Sequence, residues 1–207
     1  MTIRNATTAI VQNQLGGGGV IPSITEAQVG QMIVAAGHTA RGQQKTDRDP
    51  LLVRTLFDGG FRVSECLQLT PASLTRTATG YVACITRKGG RSGRVGLSIS
   101  LVNQLHAYAW QYQLASNDRF FPIGPSQAWR ICERACTAAG VHKPQGTGYC
   151  HVLRHSHALS ILARTGNPRA VQDDLGHADQ RTTLGYMKTL SLAESLAIRH
   201  GIDYVDL

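Results

Sequence analysis

The sequence lacks an apolar run long enough to cross a membrane, and residues 1–15 lack the apolar segment of a signal peptide. We therefore expect no membrane association and a cytoplasmic protein. The four glycines at 16–19 are not followed by Gly-Lys-Ser/Thr, which excludes a P-loop. No cluster of carboxylates is present that would hold two metal ions, so a two-metal nuclease is also not expected.

The cysteines form no metal-binding or disulfide pattern. They are five in number, and no second pair of ligands stands at zinc-finger spacing from the pair at 132 and 136. Their apolar or helical surroundings predict buried, reduced thiols at Cys66, Cys84, Cys132, Cys136 and Cys150. We expect no bound metal and no cofactor.

Positive charge is the strongest compositional feature. The 207 residues carry a formal net charge of +8, and this length can bury a full core in one domain. Such a charge indicates an anionic partner, and nucleic acid fits better than a membrane because no basic amphipathic helix is present. A basic soluble protein without such a partner would show the same charge.

Capping and glycine signals divide most of the chain into helices. Thr25 and Gln28 form a capping-box pattern for a helix that Gly37 is expected to end. A polar stretch to Arg48 follows, and Asp49-Pro50 is expected to start the next helix, with proline in its first turn. Further helices are predicted at 63–69, 101–115, 126–139, from 151 to a break at 166–168, at 169–175 and at 190–200.

Two strands are predicted at Tyr81–Thr86 and Arg94–Ile99, joined by a glycine-rich hairpin turn at 87–93. The fold class is therefore mainly α with a small antiparallel β-sheet (α+β). Residues 1–22, with their polar composition and glycine run, are predicted to be a flexible tail.

Residues 151–186 carry the chemistry. His151, Arg154 and His155 stand at the start of a helix whose other face is apolar, and His157 on the same helix is expected to be structural. A second short helix ends at Gly176 and is followed by a histidine, and a tyrosine comes nine positions later. Arginine, histidine and tyrosine side chains placed near helix ends suit chemistry on a phosphate.

This segment closely resembles the catalytic signature of the tyrosine recombinase (phage integrase) family. The signature stands here as His151-Val-Leu-Arg154-His155, Leu175-Gly176-His177, Thr182-Thr183 and Tyr186. An earlier stretch, Gly60-Phe-Arg62-Val-Ser64-Glu65, resembles the family's Gly-Leu-Arg-x-Ser-Glu. The resemblance covers roughly residues 23–200 and implies the fold of a tyrosine recombinase catalytic domain.

The resemblance implies a role for each of these residues. Arg62 and Arg154 would bind the two non-bridging oxygens of a phosphate, because a guanidinium is a rigid, permanently charged fork of donors. Tyr186 would be the nucleophile that forms a 3′-phosphotyrosine and frees a 5′ hydroxyl, so that rejoining needs no ATP. His151 and His177 would act as acid–base and phosphate-stabilising groups.

Lys88, in the hairpin turn, would donate a proton to the leaving 5′ hydroxyl. The family often has Gly-Lys-Gly-x-Lys here, whereas this chain has Arg87-Lys88-Gly89-Gly90-Arg91. Glu65 and His155 are expected to support the catalytic groups. Side chains at Arg87, Arg91 and Arg94 are expected to hold the DNA backbone or to be solvated turn charges.

The implied function is site-specific DNA strand exchange, which includes integration, excision, inversion and resolution. Residues 23–207 would form a catalytic domain without the family's N-terminal core-binding domain, and residues 190–207 would pack in cis or on a neighbouring protomer. The implied partners are double-stranded DNA and further copies of the chain, as a homotetramer on two DNA sites. A monomer free in solution is compatible with either packing.

Three other functions remain open from the sequence. A type IB-like topoisomerase would use the same cleavage chemistry without pairing two sites. A DNA-binding regulator would keep the fold, although binding alone needs no nucleophile. A zinc hydrolase could use the His151 and His155 pair, but Val152 stands where a metalloprotease has its glutamate.

Overall fold

Helices dominate the structure, a computed structural model that describes residues 21–87, 89–175 and 185–190. Before the sheet lie α1 (Glu26–Thr39), α2 (Gln43–Asp58), α3 (Val63–Cys66) and a 3₁₀ turn (Pro71–Ser73). The strands are β1 (Leu74–Arg76), β2 (Tyr81–Thr86) and β3 (Ser92–Leu97). After them come α4 (Ile99–Gln111), α5 (Pro125–Ala138), α6 (Tyr149–Thr165), α7 (Pro168–Leu175) and α8 (185–190). The predicted fold class is confirmed.

The start of α1 is confirmed and its predicted end is wrong. The Thr25 side chain accepts a hydrogen bond from the Gln28 amide, and the Gln28 side chain accepts one from the Thr25 amide. Gly37 does not end the helix, which continues to Thr39. A Cβ on Gly37 would lie 3.3 Å from Cγ of Pro50. The glycine therefore lets α1 and α2 pack closely, and it is a packing residue rather than a helix stop.

The predicted start of α2 is wrong. The helix begins at Gln43, and Pro50 lies inside it. Proline removes one backbone donor, but the helix continues past it to Asp58. Asp47 accepts hydrogen bonds from Gln43 at 3.1 Å and from the Tyr112 hydroxyl at 2.5 Å.

The sheet is a three-stranded antiparallel meander in the order β1-β2-β3. β2 has its predicted bounds, whereas β3 begins and ends two residues earlier than predicted. β1 was not predicted, because three residues are too few to show an alternating pattern. Ala83 and Ile85 face the core, and Cys84 between them is exposed, so the prediction of a buried thiol is wrong there.

The later helices lie close to their predicted positions. α4 is capped by the Ser98 side chain and begins two residues earlier than predicted. α6 ends at Thr165 and is capped by Gly166, which takes the left-handed conformation (φ 62°), and α7 begins at Pro168, so the predicted break is confirmed. The predicted tail at 1–22 and helix at 190–200 fall almost entirely outside the described residues. No helix in the described ranges has the length and apolar character that a membrane span requires.

Two apolar clusters hold these elements together. The larger one combines α1–α6 with the inner face of the sheet. The smaller one joins α6, α7 and α8 through Ala158, Leu159, Leu162, Val171, Leu175 and Tyr186. The tyrosine of the predicted site is thus part of the packing that holds α8 in place.

Candidate active site

Arg154 lies at the centre of the site, on the first turns of α6. It is only 4% exposed, and its guanidinium donates to two backbone carbonyls, with Nη1 bound to Gly60 and Nη2 bound to Leu175 at 3.0 Å. Gly60 lies between α2 and α3, and Leu175 is the last residue of α7. Three parts of the chain therefore fix the direction of this side chain.

Arg62 reaches the same place from the start of α3. The Glu65 carboxylate accepts hydrogen bonds from the Arg62 amide and from its Nη1, both at 2.9 Å. Oε2 of Glu65, the oxygen that accepts from the Arg62 amide, lies 3.8 Å from Nη1 of Arg154. The two arginines, distant in sequence, thus meet at one buried carboxylate, and Arg62 retains 40% side-chain exposure to contact a ligand.

The charges of the site perturb one another. Burial, followed by the charge of Arg62, lowers the pKa of Arg154 to about 10, which still leaves it protonated at neutral pH. His151 is exposed at the start of α6, and partial desolvation, Arg154 and Arg62 lower its pKa below the ordinary value. His151 is therefore largely neutral at pH 7 and able to accept a proton.

Tyr186, on α8, is buried next to these cations. Its hydroxyl lies 2.8 Å from Nδ1 of His155, and only 1% of the residue is exposed. Burial raises the pKa of Tyr186 to about 12, although Arg154 and Arg62 act in the opposite direction. The His155 ring in turn packs edge-on against His151, with 5.0 Å between ring centroids. Arginines, histidines and phenol are thus adjacent.

The segment before α1 holds α8 in this position. The Ile21 amide donates to Oγ1 of Thr189 at 2.8 Å, and the Ile21 side chain packs on the cluster that contains Tyr186. A Cβ on Gly185 would lie 3.0 Å from the Ile21 side chain. No local sequence pattern indicates this contact, because it joins opposite ends of the described chain.

Sequence reasoning also missed the backbone acceptors of the site. The carbonyls of Gly60 and Leu175 carry no side-chain signal, yet they orient Arg154. His157 packs beside Gly60, is bound to Asp174 at 2.7 Å and contacts the Phe57 ring edge-on. This position supports the structural role predicted for His157.

The predicted set is only partly placed by the structure. Arg62, Glu65, His151, Arg154, His155 and Tyr186 come together. Lys88 and His177 lie outside the described residues. Of the three hairpin arginines, Arg91 and Arg94 are exposed, whereas Arg87 turns inward and donates to the Leu175 carbonyl at 2.9 Å.

The chain resembles known proteins both in sequence and in fold. A curated tyrosine recombinase from Pseudothermotoga lettingae is 31% identical over 69% of this chain and 50% of its own length. A relative named tyrosine recombinase XerD, from Rhizobium meliloti, is 34% identical over 67% of this chain and 46% of its own length. The chain thus spans about half the length of these relatives.

Solved structures share the fold. XerH site-specific recombinase, in a post-cleavage complex with a palindromic difH substrate, has a TM-score of 0.75 and 23% identity over 91% of this chain and 56% of its own. The catalytic domain of bacteriophage HP1 integrase has a TM-score of 0.62 and 22% identity over 86% of this chain and 94% of its own. The sequence profile described as the phage integrase family matches residues 22–191, and the chain belongs to that family.

Proposed function

We propose that the protein is an enzyme that cleaves and rejoins DNA strands at specific sites, with Tyr186 as the nucleophile. The observation that supports this most is the meeting of Arg62 and Arg154 at the carboxylate of Glu65, close to the buried phenol. A purely structural role for Tyr186 in the core would not explain why arginines and histidines gather beside it.

The arginines bind and stabilise the reacting phosphate in this proposal. Each presents N–H donors in a plane that matches two phosphate oxygens, and charge accumulates on those oxygens in the transition state. Arg154 is held in place by backbone carbonyls, so that little reorganisation is needed when DNA binds. Arg62, which is more exposed, completes the contact from the solvent side.

The proton and bond changes balance without a cofactor. The Tyr186 oxygen attacks phosphorus, the bond to the 5′ oxygen breaks, and the phenol proton passes to a base. His155, whose Nδ1 lies 2.8 Å from the Tyr186 hydroxyl, is within hydrogen-bond distance and can accept that proton. The 5′ oxygen leaves as a hydroxyl after it receives a proton from Lys88 or a histidine. The roles of Lys88 and His177 in this step rest on the family resemblance.

The described state is a resting one. With a pKa of about 12, roughly one Tyr186 in 10⁵ is ionised at pH 7, which corresponds to about 7 kcal/mol. Movement of the hydroxyl out of its apolar surroundings toward the phosphate removes the burial that raises this pKa. The packing of α8 on its own α6 favours attack within one protomer.

The proposed partner is double-stranded DNA, which the net charge of +8 supports. Residues 23–207 would supply the catalytic unit. Strand exchange needs two DNA sites with two strands cut in each, which a homotetramer would provide.

Nicked suicide duplexes taken from the DNA that flanks the gene test this function. The wild-type protein should form a covalent adduct that survives denaturation, whereas Tyr186→Phe should bind DNA and form none. The matched control is Tyr149→Phe, because Tyr149 is at the start of α6 but its ring packs against Trp129. An adduct with Tyr186→Phe would disprove the assignment of the nucleophile. Relaxation of plasmids that contain no such site would instead favour a type IB-like topoisomerase.

A further inference from the structure

Arg87 occupies a position that differs from those of the other hairpin arginines. It follows β2, and its side chain lies across Gly93 of the paired strand, where an added Cβ would come within 2.3 Å of the arginine Nε. Arg91 and Arg94, on the same hairpin, are exposed. The absence of a side chain at Gly93 therefore gives Arg87 room to turn inward.

The inward course brings Arg87 beside Arg154. Both guanidiniums donate to the Leu175 carbonyl, at 2.9 Å from Nη1 of Arg87 and at 3.0 Å from Nη2 of Arg154. Their donor nitrogens are thus within about 6 Å of each other. The proximity is also felt electrostatically, because the charge of Arg87 lowers the pKa of Arg154.

No carboxylate in the described part of the chain pairs with Arg87. Arg62 and Arg154 share the Glu65 carboxylate, but none of the ion pairs between described residues includes Arg87. Its Nε is buried and has no hydrogen-bond partner within the described ranges. A buried N–H group without a hydrogen-bond partner is unfavourable. An anionic ligand that binds the guanidinium would offset this cost. Within the described ranges, Arg87 therefore adds a positive charge beside Arg154 that Glu65 does not pair.

We propose that Arg87 is a third phosphate-binding arginine, which acts on the same phosphate as Arg62 and Arg154. The inference rests on the proposed function and assigns to Arg87 a role in the reaction itself, beyond the general backbone contact expected of a hairpin arginine. The pattern that the family often has in this hairpin carries glycine at the position of Arg87. The Arg87 side chain moves slightly from the Leu175 carbonyl to a phosphate oxygen as DNA binds.

A DNA substrate with an uncharged linkage at the cleaved position distinguishes this role from a structural one. A methylphosphonate at the cleaved position lacks one phosphate charge, so loss of an arginine that neutralises that charge matters less. With ordinary DNA, Arg87→Ala should slow adduct formation by about 10- to 100-fold, the range for a hydrogen bond to a charged group. With methylphosphonate DNA, the same variant should come within about threefold of the wild type. These fold-changes refer to initial rates on nicked duplexes at equal occupancy.

Two further variants serve as controls. Gly93→Ala leaves the net charge unchanged but places a methyl group where Nε of Arg87 lies, so it should reproduce the defect and its rescue. Arg94→Ala removes the same charge from an exposed position and should weaken binding without selective rescue. Thermal unfolding checks that each variant is folded.

The proposal would be overturned if Arg87→Ala slowed adduct formation equally on ordinary and methylphosphonate DNA, or if its rate equalled that of the wild type. It would also be overturned if methylphosphonate DNA rescued Arg94→Ala as much as Arg87→Ala. If the wild-type protein forms no adduct on either DNA, the proposed function fails, and the role of Arg87 fails with it. Failure of the Arg87 proposal alone can be distinguished from failure of the proposed function, because the former is observed only with an active wild-type protein.

Discussion

Glu65→Gln is the substitution that tests the charge balance of the site most sharply. The carboxylate is 3% exposed, binds the Arg62 amide and guanidinium at 2.9 Å, and lies 3.8 Å from Arg154. Glutamine has nearly the same shape but no charge, and its amide NH₂ turns one acceptor into a donor that faces arginine N–H groups. The variant therefore leaves the Arg154 charge buried beside Arg62 without compensation.

The expected loss of stability is about 2–3 kcal/mol. Removal of one partner from a buried ion pair costs about 3–5 kcal/mol. We expect a value at or below the lower end of this range, because Arg62 is 40% exposed and solvent screens its interaction with Glu65. For a chain of this size, each kcal/mol corresponds to about 2–4 °C, so the melting temperature should fall by roughly 4–12 °C.

Urea unfolding of both proteins measures this difference. Asp173→Asn is the matched control, since Asp173 pairs with Arg169 at 3.1 Å on the surface, with side-chain exposures of 63% and 71%. That variant should change stability by less than about 1 kcal/mol. The reasoning about Glu65 is refuted if Glu65→Gln and the control unfold alike, or if Glu65→Gln cleaves DNA at the wild-type rate.

Two further predictions concern the phenol and the turn beside it. Because the folded protein holds the pKa of Tyr186 at about 12, against about 10 when unfolded, its contribution to stability is constant below pH 10 and falls above it. The stability of wild type relative to Tyr186→Phe should decline by about 1.4 kcal/mol per pH unit between pH 10 and 12, and a flat difference would contradict the burial argument. Gly60→Ala should cost more than about 2 kcal/mol in urea unfolding, because φ is +55° and the new Cβ would lie 2.4 Å from the His157 ring. Gly146→Ala, with φ +78° and open space, should show only the backbone cost of about 1 kcal/mol, and equal losses would argue against a close approach at Gly60.

Local signals explain what the sequence could predict. The capping box at Thr25, strand β2 and the helix stop at Gly166 each depend on residues within a few positions of one another, and all three are confirmed. The catalytic candidates were also recognised locally, because arginine, histidine and tyrosine stand at fixed spacings in short segments. The structure brings Arg62 and Arg154 together, as that interpretation requires.

Contacts between distant segments explain the rest. The helix that contains Pro50 begins at Gln43, and the turn before the proline is bonded to Tyr112 from a distant segment, which no window around the proline reveals. The acceptors of Arg154 are backbone carbonyls, which every residue carries. The inward course of Arg87 depends on a glycine in the neighbouring strand. Each of these features follows from which segments become neighbours in the fold.

The identity of the nucleophile can be measured directly. The covalent complex formed on a nicked duplex would be digested with protease and nuclease, and the peptide that carries a nucleotide would be sequenced by mass spectrometry. The account predicts one modified residue, Tyr186, joined to a 3′ phosphate. A nucleotide on any other side chain, or a 5′-phosphate linkage, would contradict it.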